Sequence, residues 1–383
     1  MQTPSSSLIF SDVGIVGAGA MGRGIAQLAA QAGSRVWLYD TSSHAAEQAR
    51  TALDHQWQSL VAKGRLAPDA AQAYLARVSV AQDLQAFAPC TLVVEAAIER
   101  LDIKQHVFAD LERIVSAETV LATNTSSLPI TAIAARLKRP QRFAGYHFFN
   151  PAPLMKVVEV VRGLATEDSV CQSLADYARQ MGHTPVQAQD TPGFIVNHAG
   201  RGYGTEALRI VSEDVADFQT IDLILREQAG FKLGPFELMD LTGLDVSHPV
   251  MESIYRQYYD EPRFKPSVIT AQRLSAGLLG RKSGAGFYAY DNGQARLAPE
   301  PAVPEVATLP PVWVSPRAAR RPELLQLLKN LGATLETGAH ASAHALILVA
   351  PLGFDVTTLA AVDRLDATRT LGIDTVSYTH LRA

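Results

Sequence analysis

Short, continuous apolar runs alternate with helical patterns through the first half of the chain. The runs at 13–16, 36–39, 92–94 and 119–122 are bounded by Gly, Asp or Asn, the pattern of strands buried in a parallel sheet. Between them, 21–31, 44–63 and 103–114 carry apolar residues at helical spacing. This alternation predicts an α/β domain with a doubly wound sheet. Two further strands are expected at 142–147 and 156–161, joined by the turn-rich link Phe148-Phe149-Asn150-Pro151-Ala152-Pro153. A helix at 169–181 and a strand at 185–188 complete the domain.

From Thr191 the pattern turns helical. Pro192 suits a first helical turn, and helices are expected over 194–210, around 221–229, before Tyr258 and around 271–279. The helical unit closes at Gly286-Phe287-Tyr288-Ala289-Tyr290. The stretch 294–311 holds Pro299, Pro301, Pro304, Pro310 and Pro311 and reads as a linker. Beyond it, a strand at 312–314, a helix at 322–331 and a strand at 346–349 suggest a small α/β fragment without a glycine-rich fingerprint. Ser377-Tyr378-Thr379-His380-Leu381-Arg382-Ala383 continues no pattern. The expected division is 1–190, 191–291, a linker at 292–311, and 312–383.

At 383 residues the chain exceeds one comfortable core. Hydrophobic residues at 47% and charged residues at 19% are globular proportions. A net charge of −4 argues against nucleic-acid or anionic-membrane partners. The two cysteines, Cys90 and Cys171, exclude a disulfide scaffold and a four-thiolate zinc site, and no metal is expected. No run of about 18 apolar residues is present, so no membrane span is expected. The Ser-rich start lacks basic residues and fits neither a secretory nor a transit peptide, so a cytoplasmic location is expected.

The first chemical motif is Gly17-Ala18-Gly19-Ala20-Met21-Gly22, between a predicted strand and a predicted helix. In that context Gly17 makes a tight turn, Gly19 lets backbone approach a pyrophosphate, and Gly22 lets helix and strand pack closely. The N–H groups of the helix start at Ala20 and Met21 face the phosphates. The next strand ends at Asp40, 18 residues after Gly22. A carboxylate there accepts from a ribose 2′-OH and repels a 2′-phosphate. The expected cofactor is NAD on a Rossmann-type sheet.

His147 ends one predicted strand and Glu159 lies on the next. If the strands lie side by side, the two side chains can meet. A dehydrogenase needs a base for the hydroxyl proton, and imidazole backed by a carboxylate suits that task.

With these residues in hand, the chain resembles the 3-hydroxyacyl-CoA dehydrogenase family. The resemblance is carried by the glycine loop with Asp40, Val94-Glu95-Ala96-Ala97-Ile98-Glu99, Asn124-Thr125-Ser126-Ser127-Leu128, His147-Phe148-Phe149-Asn150-Pro151 and Lys156-Val157-Val158-Glu159. Asp190-Thr191-Pro192-Gly193-Phe194-Ile195-Val196-Asn197, Gly234-Pro235-Phe236-Glu237 and Gly280-Arg281-Lys282-Ser283-Gly284-Ala285-Gly286-Phe287-Tyr288 complete the set, in family order from about 13 to 290.

The resemblance implies NAD-dependent oxidation of L-3-hydroxyacyl-CoA to 3-ketoacyl-CoA, in fatty-acid or aromatic-acid breakdown. It assigns His147 as base, Glu159 as its partner, and Ser126 and Asn197 as residues holding the substrate oxygen. Glu99, Lys104, Asn124, Ser126 and Asn150 fall at NAD-contact positions, and Ser59 and Lys63 at CoA-contact positions. Plainer readings stand beside these: an exposed Glu99–Lys104 helix-face pair, a helix cap at Ser126, a satisfied polar group at Asn197, and a solvated basic end at Lys63 and Arg65. The helical unit has too few helices to bury every apolar face, and Ile254-Tyr255, Tyr258-Tyr259 and Leu278-Leu279 supply surplus apolar surface, so a homodimer through this unit is expected. The pattern departs at His198, where an Arg is expected, and at Gly200, Gly202 and Gly204 inside a predicted helix.

The fragment after the linker resembles the opening of a second module in longer bacterial members, including those of phenylacetate degradation. A truncated frame with an extraneous tail from Ser377 is the corresponding expectation. The competing function is a non-catalytic NAD-binding or crystallin-like structural relative. Acyl-chain length and polarity stay open between 3-hydroxybutyryl-CoA and 3-hydroxyadipyl-CoA.

Overall fold

A computed structural model describes residues 8–299, 308–320, 322–351 and 353–373. The tail expected from Ser377 and the prolines at 301 and 304 lie outside the described residues. The chain divides into two compact units, Met1–Arg209 with Gly243–Gly277, and Ile210–Thr242 with Leu278–Ala383.

The first unit opens with β1 (Asp12–Val16), α1 (Ala20–Ala32), β2 (Arg35–Tyr39), α2 (Ser43–Ala62), α3 (Pro68–Ala76), β3 (Val78–Val80), β4 (Leu92–Glu95), α4 (Leu101–Ile114), β5 (Val120–Thr123) and α5 (Ile130–Ala134). β6 (Phe143–Phe148), β7 (Val157–Arg162), α6 (Asp168–Gln180) and β8 (Thr184–Gln189) follow. The sheet order is β3-β2-β1-β4-β5-β6-β7-β8, a Rossmann-type arrangement. Every neighbouring pair is parallel except β6–β7. The link between β6 and β7 is too short for a crossover helix, so these strands pair antiparallel. The apolar runs are buried on both faces: Trp57 and Tyr177 lie in one core layer, Phe87, Phe108 and Phe143 in the other.

Two features escaped the pattern. α3 and β3 lie in an Ala-rich stretch whose strand is only three residues long. α5 is a five-residue helix, too short to show a period.

After β8 the expected helix from Phe194 does not start there. Gly193 (φ 77°) and Phe194 (φ 50°) hold a left-handed turn containing Pro192, and α7 begins only at Val196 (Val196–Ala199). A side chain at Gly193 would meet Ile254 Cδ1 at 2.9 Å. α8 (Arg201–Ser212) follows after Gly200, so the single predicted helix is two. α9 (Phe218–Glu227), α10 (Pro235–Thr242, not expected), α11 (Leu244–Gln257) and α12 (Val268–Ser275) complete the helical stretch.

β9 (Ala289–Asp291) and β10 (Gln294–Arg296) form a hairpin across Asn292-Gly293, both with positive φ. The start of the stretch read as linker is therefore strand. In this second unit Asp240 Oδ1 and Oδ2 accept the N–H of Phe287 and Tyr288 and the hydroxyl of Tyr290. A Cβ on Gly286 would lie 2.1 Å from Asp240 Oδ1, which explains the glycine in Gly284-Ala285-Gly286. β11 (Val312–Val314), α13 (Pro322–Asn330), β12 (Leu335–Glu336), β13 (Leu346–Val349), α14 (Val356–Val362) and β14 (Thr370–Gly372) build a small parallel sheet ordered β12-β11-β13-β14.

Candidate active site

The glycine loop joins β1 to α1 as its spacing predicts. Gly17 has φ 100°, and a Cβ there would sit 2.6 Å from the Ala96 carbonyl oxygen. A Cβ on Gly22 would sit 1.8 Å from the Gly17 carbonyl oxygen, so helix and turn touch at that glycine. Around Gly19 there is open space. Gly19 is also the N-cap of α1 and offers no side-chain cap, so the first-turn N–H groups at Ala20 and Met21 are left for an anion. Asp40 Oδ2 accepts from Ala18 N–H at 2.8 Å and Oδ1 from Ser42 N–H at 3.0 Å, which fixes the carboxylate beside the loop. A cavity of about 810 Å³ is lined by Gly19, Asp40, His44, Gln48 and His55 among others. Open backbone donors at the loop and a fixed carboxylate at the cavity wall suit the pyrophosphate and ribose of NAD.

At the end of β4, Glu95 is fully buried and forms an ion pair with Lys104 of α4 at 2.6 Å. Thr123 Oγ1 and Ala97 N–H also donate to Glu95. Lys104 is 1% exposed, so it is not half of an exposed helix-face pair. Its ammonium also meets the Ala97 carbonyl and, at 3.4 Å, Glu99. Glu99 Oε1 in turn accepts from Thr125 Oγ1 and from the N–H groups of Ser126 and Ser127. Burial opposes the charge on Glu99, but Lys104 and these donors outweigh it and hold the carboxyl below its ordinary value. Glu99 and Lys104 thus shape the turn that presents Ser126. Ser126 does not cap a helix: α5 is capped by Asp190, which accepts from Ile130 and Thr131 N–H at 2.7 Å.

Ser126 Oγ lies 3.2 Å from His147 Nε2, and His147 Nδ1 lies 2.6 Å from Glu159 Oε2. The His–Glu contact follows from register, because His147 of β6 is the direct partner of Glu159 of β7. The other Glu159 oxygen, Oε1, accepts the N–H groups of Ile195 and Val196, each at 2.9 Å. Burial works against ionisation of Glu159, yet the bond from His147 and these backbone donors hold its carboxyl below its ordinary value. Asn197, on α7, donates from Nδ2 to the Ser126 carbonyl oxygen at 3.2 Å. Ser126, His147, Glu159 and Asn197 are therefore brought together. Phe149 and Phe194 pack against the imidazole.

Asn124 is buried, and its Oδ1 accepts from Phe148 N–H, which ties β6 to the β5 end. Asn150 is exposed just beyond β6. Ser59 and Lys63 are exposed at the end of α2. His198, in place of an expected Arg, contacts the Tyr258 hydroxyl at 2.9 Å and packs near Phe264. Sequence reasoning quoted Glu95 as a motif residue without a role and passed over Thr123 and Gln257, whose Nε2 donates to the Ser127 carbonyl oxygen. A lone Glu closing an apolar strand was the available signal for Glu95.

The family model for the 3-hydroxyacyl-CoA dehydrogenase NAD-binding domain matches residues 12–191, and that for the C-terminal domain matches 193–290. The chain is 40% identical over 351 residues to the 3-hydroxyadipyl-CoA dehydrogenase of Escherichia coli K12, covering 91% of this chain and 74% of that one. It is 42% identical over 277 residues to a probable 3-hydroxybutyryl-CoA dehydrogenase of Deinococcus radiodurans, covering 72% and 99%. Among solved structures, the 3-hydroxybutyryl-CoA dehydrogenase of E. coli K12 superposes with a TM-score of 0.73 at 43% identity, over 77% of this chain and 63% of that one. The (S)-3-hydroxybutyryl-CoA dehydrogenase of Ralstonia eutropha gives a TM-score of 0.71 at 35% identity, over 74% and 100%. The chain belongs to the 3-hydroxyacyl-CoA dehydrogenase family of NAD-dependent oxidoreductases.

Proposed function

We propose that the chain oxidises L-3-hydroxyacyl-CoA to 3-ketoacyl-CoA, within fatty-acid or aromatic-acid breakdown. The observation that carries this reading is the continuous Ser126–His147–Glu159 contact chain. NAD, when bound, supplies the acceptor for the two electrons and the hydrogen that leave substrate C3. With Nδ1–H donating to Glu159, His147 keeps its lone pair on Nε2, turned toward Ser126 Oγ. A substrate hydroxyl within hydrogen-bond reach of both Ser126 Oγ and His147 Nε2 loses its proton to Nε2. Ionised Glu159 fixes the tautomer and stabilises the imidazolium that forms. Ser126 and the Asn197 amide align the substrate oxygen. A non-catalytic structural protein has no need of this arrangement.

In the same reading, residues 1–190 hold the cofactor, 191–291 form the helical domain that dimerises, and the part after 292 is dispensable for chemistry. Ser59 and Lys63 lie where CoA is held, and Asn150 where NAD is held. Among the described residues no helix is long and apolar enough to cross a membrane, and a cytoplasmic site of action accords with NAD-linked acyl-CoA chemistry. The test is NADH formation, followed by absorbance, with L- and D-3-hydroxybutyryl-CoA and with L-3-hydroxyadipyl-CoA. Turnover of L esters alone is expected. Absence of turnover with every L ester, or equal rates with D, sinks the reading. Light scattering at micromolar concentration should show a dimer, and a lone monomer refutes that part.

A further inference from the structure

The turn at 125–128 sets where Ser126 stands, and the bond from Ser126 to His147 tolerates little error. At 3.2 Å, Ser126 Oγ to His147 Nε2 is at the long end of hydrogen-bond distances. A turn displaced further from β6 loses that bond. Glu99 holds the backbone amides of the turn from one side. Its carbonyl oxygens are held from another. Asn197 Nδ2 donates to that of Ser126 at 3.2 Å, and Gln257 Nε2 donates to that of Ser127 at 2.7 Å. Gln257 makes the shorter of the two bonds and has no part in the mechanism proposed above.

Gln257 is the last residue of α11, and its amide is oriented from within that helix. Nε2 also lies 3.2 Å from the Ser253 carbonyl oxygen and 3.0 Å from Ser253 Oγ, one helical turn back. The carbonyl oxygens of Ser127 and Ser253 can only accept, so the end of the amide that faces both is the NH2. Ser127 is buried, and a buried carbonyl oxygen is costly to leave without a donor. Neighbouring residues of α11 hold the same region. Ile254 Cδ1 fills the space that a side chain at Gly193 would need, at the turn leading into α7. The Tyr258 hydroxyl lies 2.9 Å from His198 Nδ1. The end of α11 therefore grips both backbone segments that present the oxygen-holding residues, the one with Ser126 and the one with Asn197.

Resting on the function proposed above, we infer that Gln257 is a positioning residue for the oxidation. It touches no reacting atom. It fixes the Ser127 carbonyl and so holds Ser126 Oγ within reach of His147 Nε2 and of the substrate hydroxyl. With the donor gone, the turn keeps its bonds to Glu99 and Asn197 but is free to tilt about them. Alignment of the substrate oxygen is then lost. The glycine loop and Asp40 stand on other elements and keep their hold on NAD. A residue so placed moves kcat and kcat/KM together and leaves cofactor binding alone.

The experiment measures kcat and KM on the full chain, with whichever of L-3-hydroxybutyryl-CoA and L-3-hydroxyadipyl-CoA turns over faster. NAD affinity by fluorescence titration and melting temperature are read beside them. The variants are Gln257→Met, Gln257→Lys, Ser126→Ala, and Gln257→Met combined with Ser126→Ala. Gln257→Met keeps the length of the side chain and removes the donor. It should lower kcat by roughly tenfold or more, with NAD affinity and melting temperature little changed. Gln257→Lys keeps a donor of similar reach and should recover most of that loss. In the Ser126→Ala background Gln257→Met should cost little more, because its effect runs through Ser126. Unchanged kcat in Gln257→Met overturns the inference. An undiminished loss on top of Ser126→Ala, equal losses in Gln257→Met and Gln257→Lys, or a fall in melting temperature alongside the loss also overturns it, and points to a packing role. If the unsubstituted enzyme oxidises neither ester, the reading of the whole site falls, and this inference with it.

Discussion

Glu159 stands directly opposite His147 in the β6–β7 ladder, and its carboxylate is divided between two tasks. Oε2 receives His147 Nδ1, while Oε1 receives the backbone of Ile195 and Val196 at the start of α7. One side chain therefore orients the imidazole and anchors the segment that carries Asn197.

From that relationship, His147→Asn should lower kcat by roughly a hundredfold or more, the scale of losing a general base. Glu159→Gln should act on the same step. The double variant should be far from additive, because the two residues work as a unit. NAD affinity, measured by fluorescence titration, should change little. Near wild-type turnover in both single variants sinks the mechanism.

Acid stability should follow the same carboxylate. Glu159 and Glu99 are both held below their ordinary value despite burial. For a carboxyl depressed in the folded state, the stabilisation is present above the unfolded-state pKa. It is lost as pH falls through the lower, folded value. Melting temperature should therefore drop on the acid side of the ordinary glutamate range. Glu159→Gln should flatten that acid limb, and an unchanged pH profile in the variant contradicts the assignment.

The buried pair Lys104–Glu95 should be sensitive to removal of one partner. Lys104→Met leaves Glu95 charged and buried, which costs about 3–5 kcal/mol. Adding Glu95→Gln should recover much of that loss, since the uncompensated charge is then gone. Urea unfolding of the two variants decides it, and equal stabilities in single and double variants reject the account.

Asp40 should set cofactor choice. Asp40→Asn keeps an acceptor for Ala18 N–H but removes the charge that repels a 2′-phosphate. The ratio of kcat/KM with NADP to that with NAD should rise about tenfold or more, equivalent to roughly 1.4 kcal/mol. An unchanged ratio places discrimination elsewhere.

Much of the molecule was decided by local pattern alone. Continuous apolar runs at β1, β2, β4 and β5 must be buried on both faces, so they read as parallel strands without any partner being known. The glycines of the loop are legible for a similar reason: the φ of 100° at Gly17 and the contact of a Cβ at Gly22 with the Gly17 carbonyl oxygen are both local to the turn. The motif order was enough to nominate Ser126, His147, Glu159 and Asn197. Tertiary structure alone decided how those residues meet. Glu159 reaches His147 through strand register, and reaches Ile195 and Val196 through a turn at Gly193–Phe194 that helical periodicity misread. Lys104, for which an exposed helix-face pair was the plainer reading, is instead buried against Glu95 at the end of β4. A periodicity records which side of an element is apolar, whereas the partner a buried charge finds depends on every other element that packs around it.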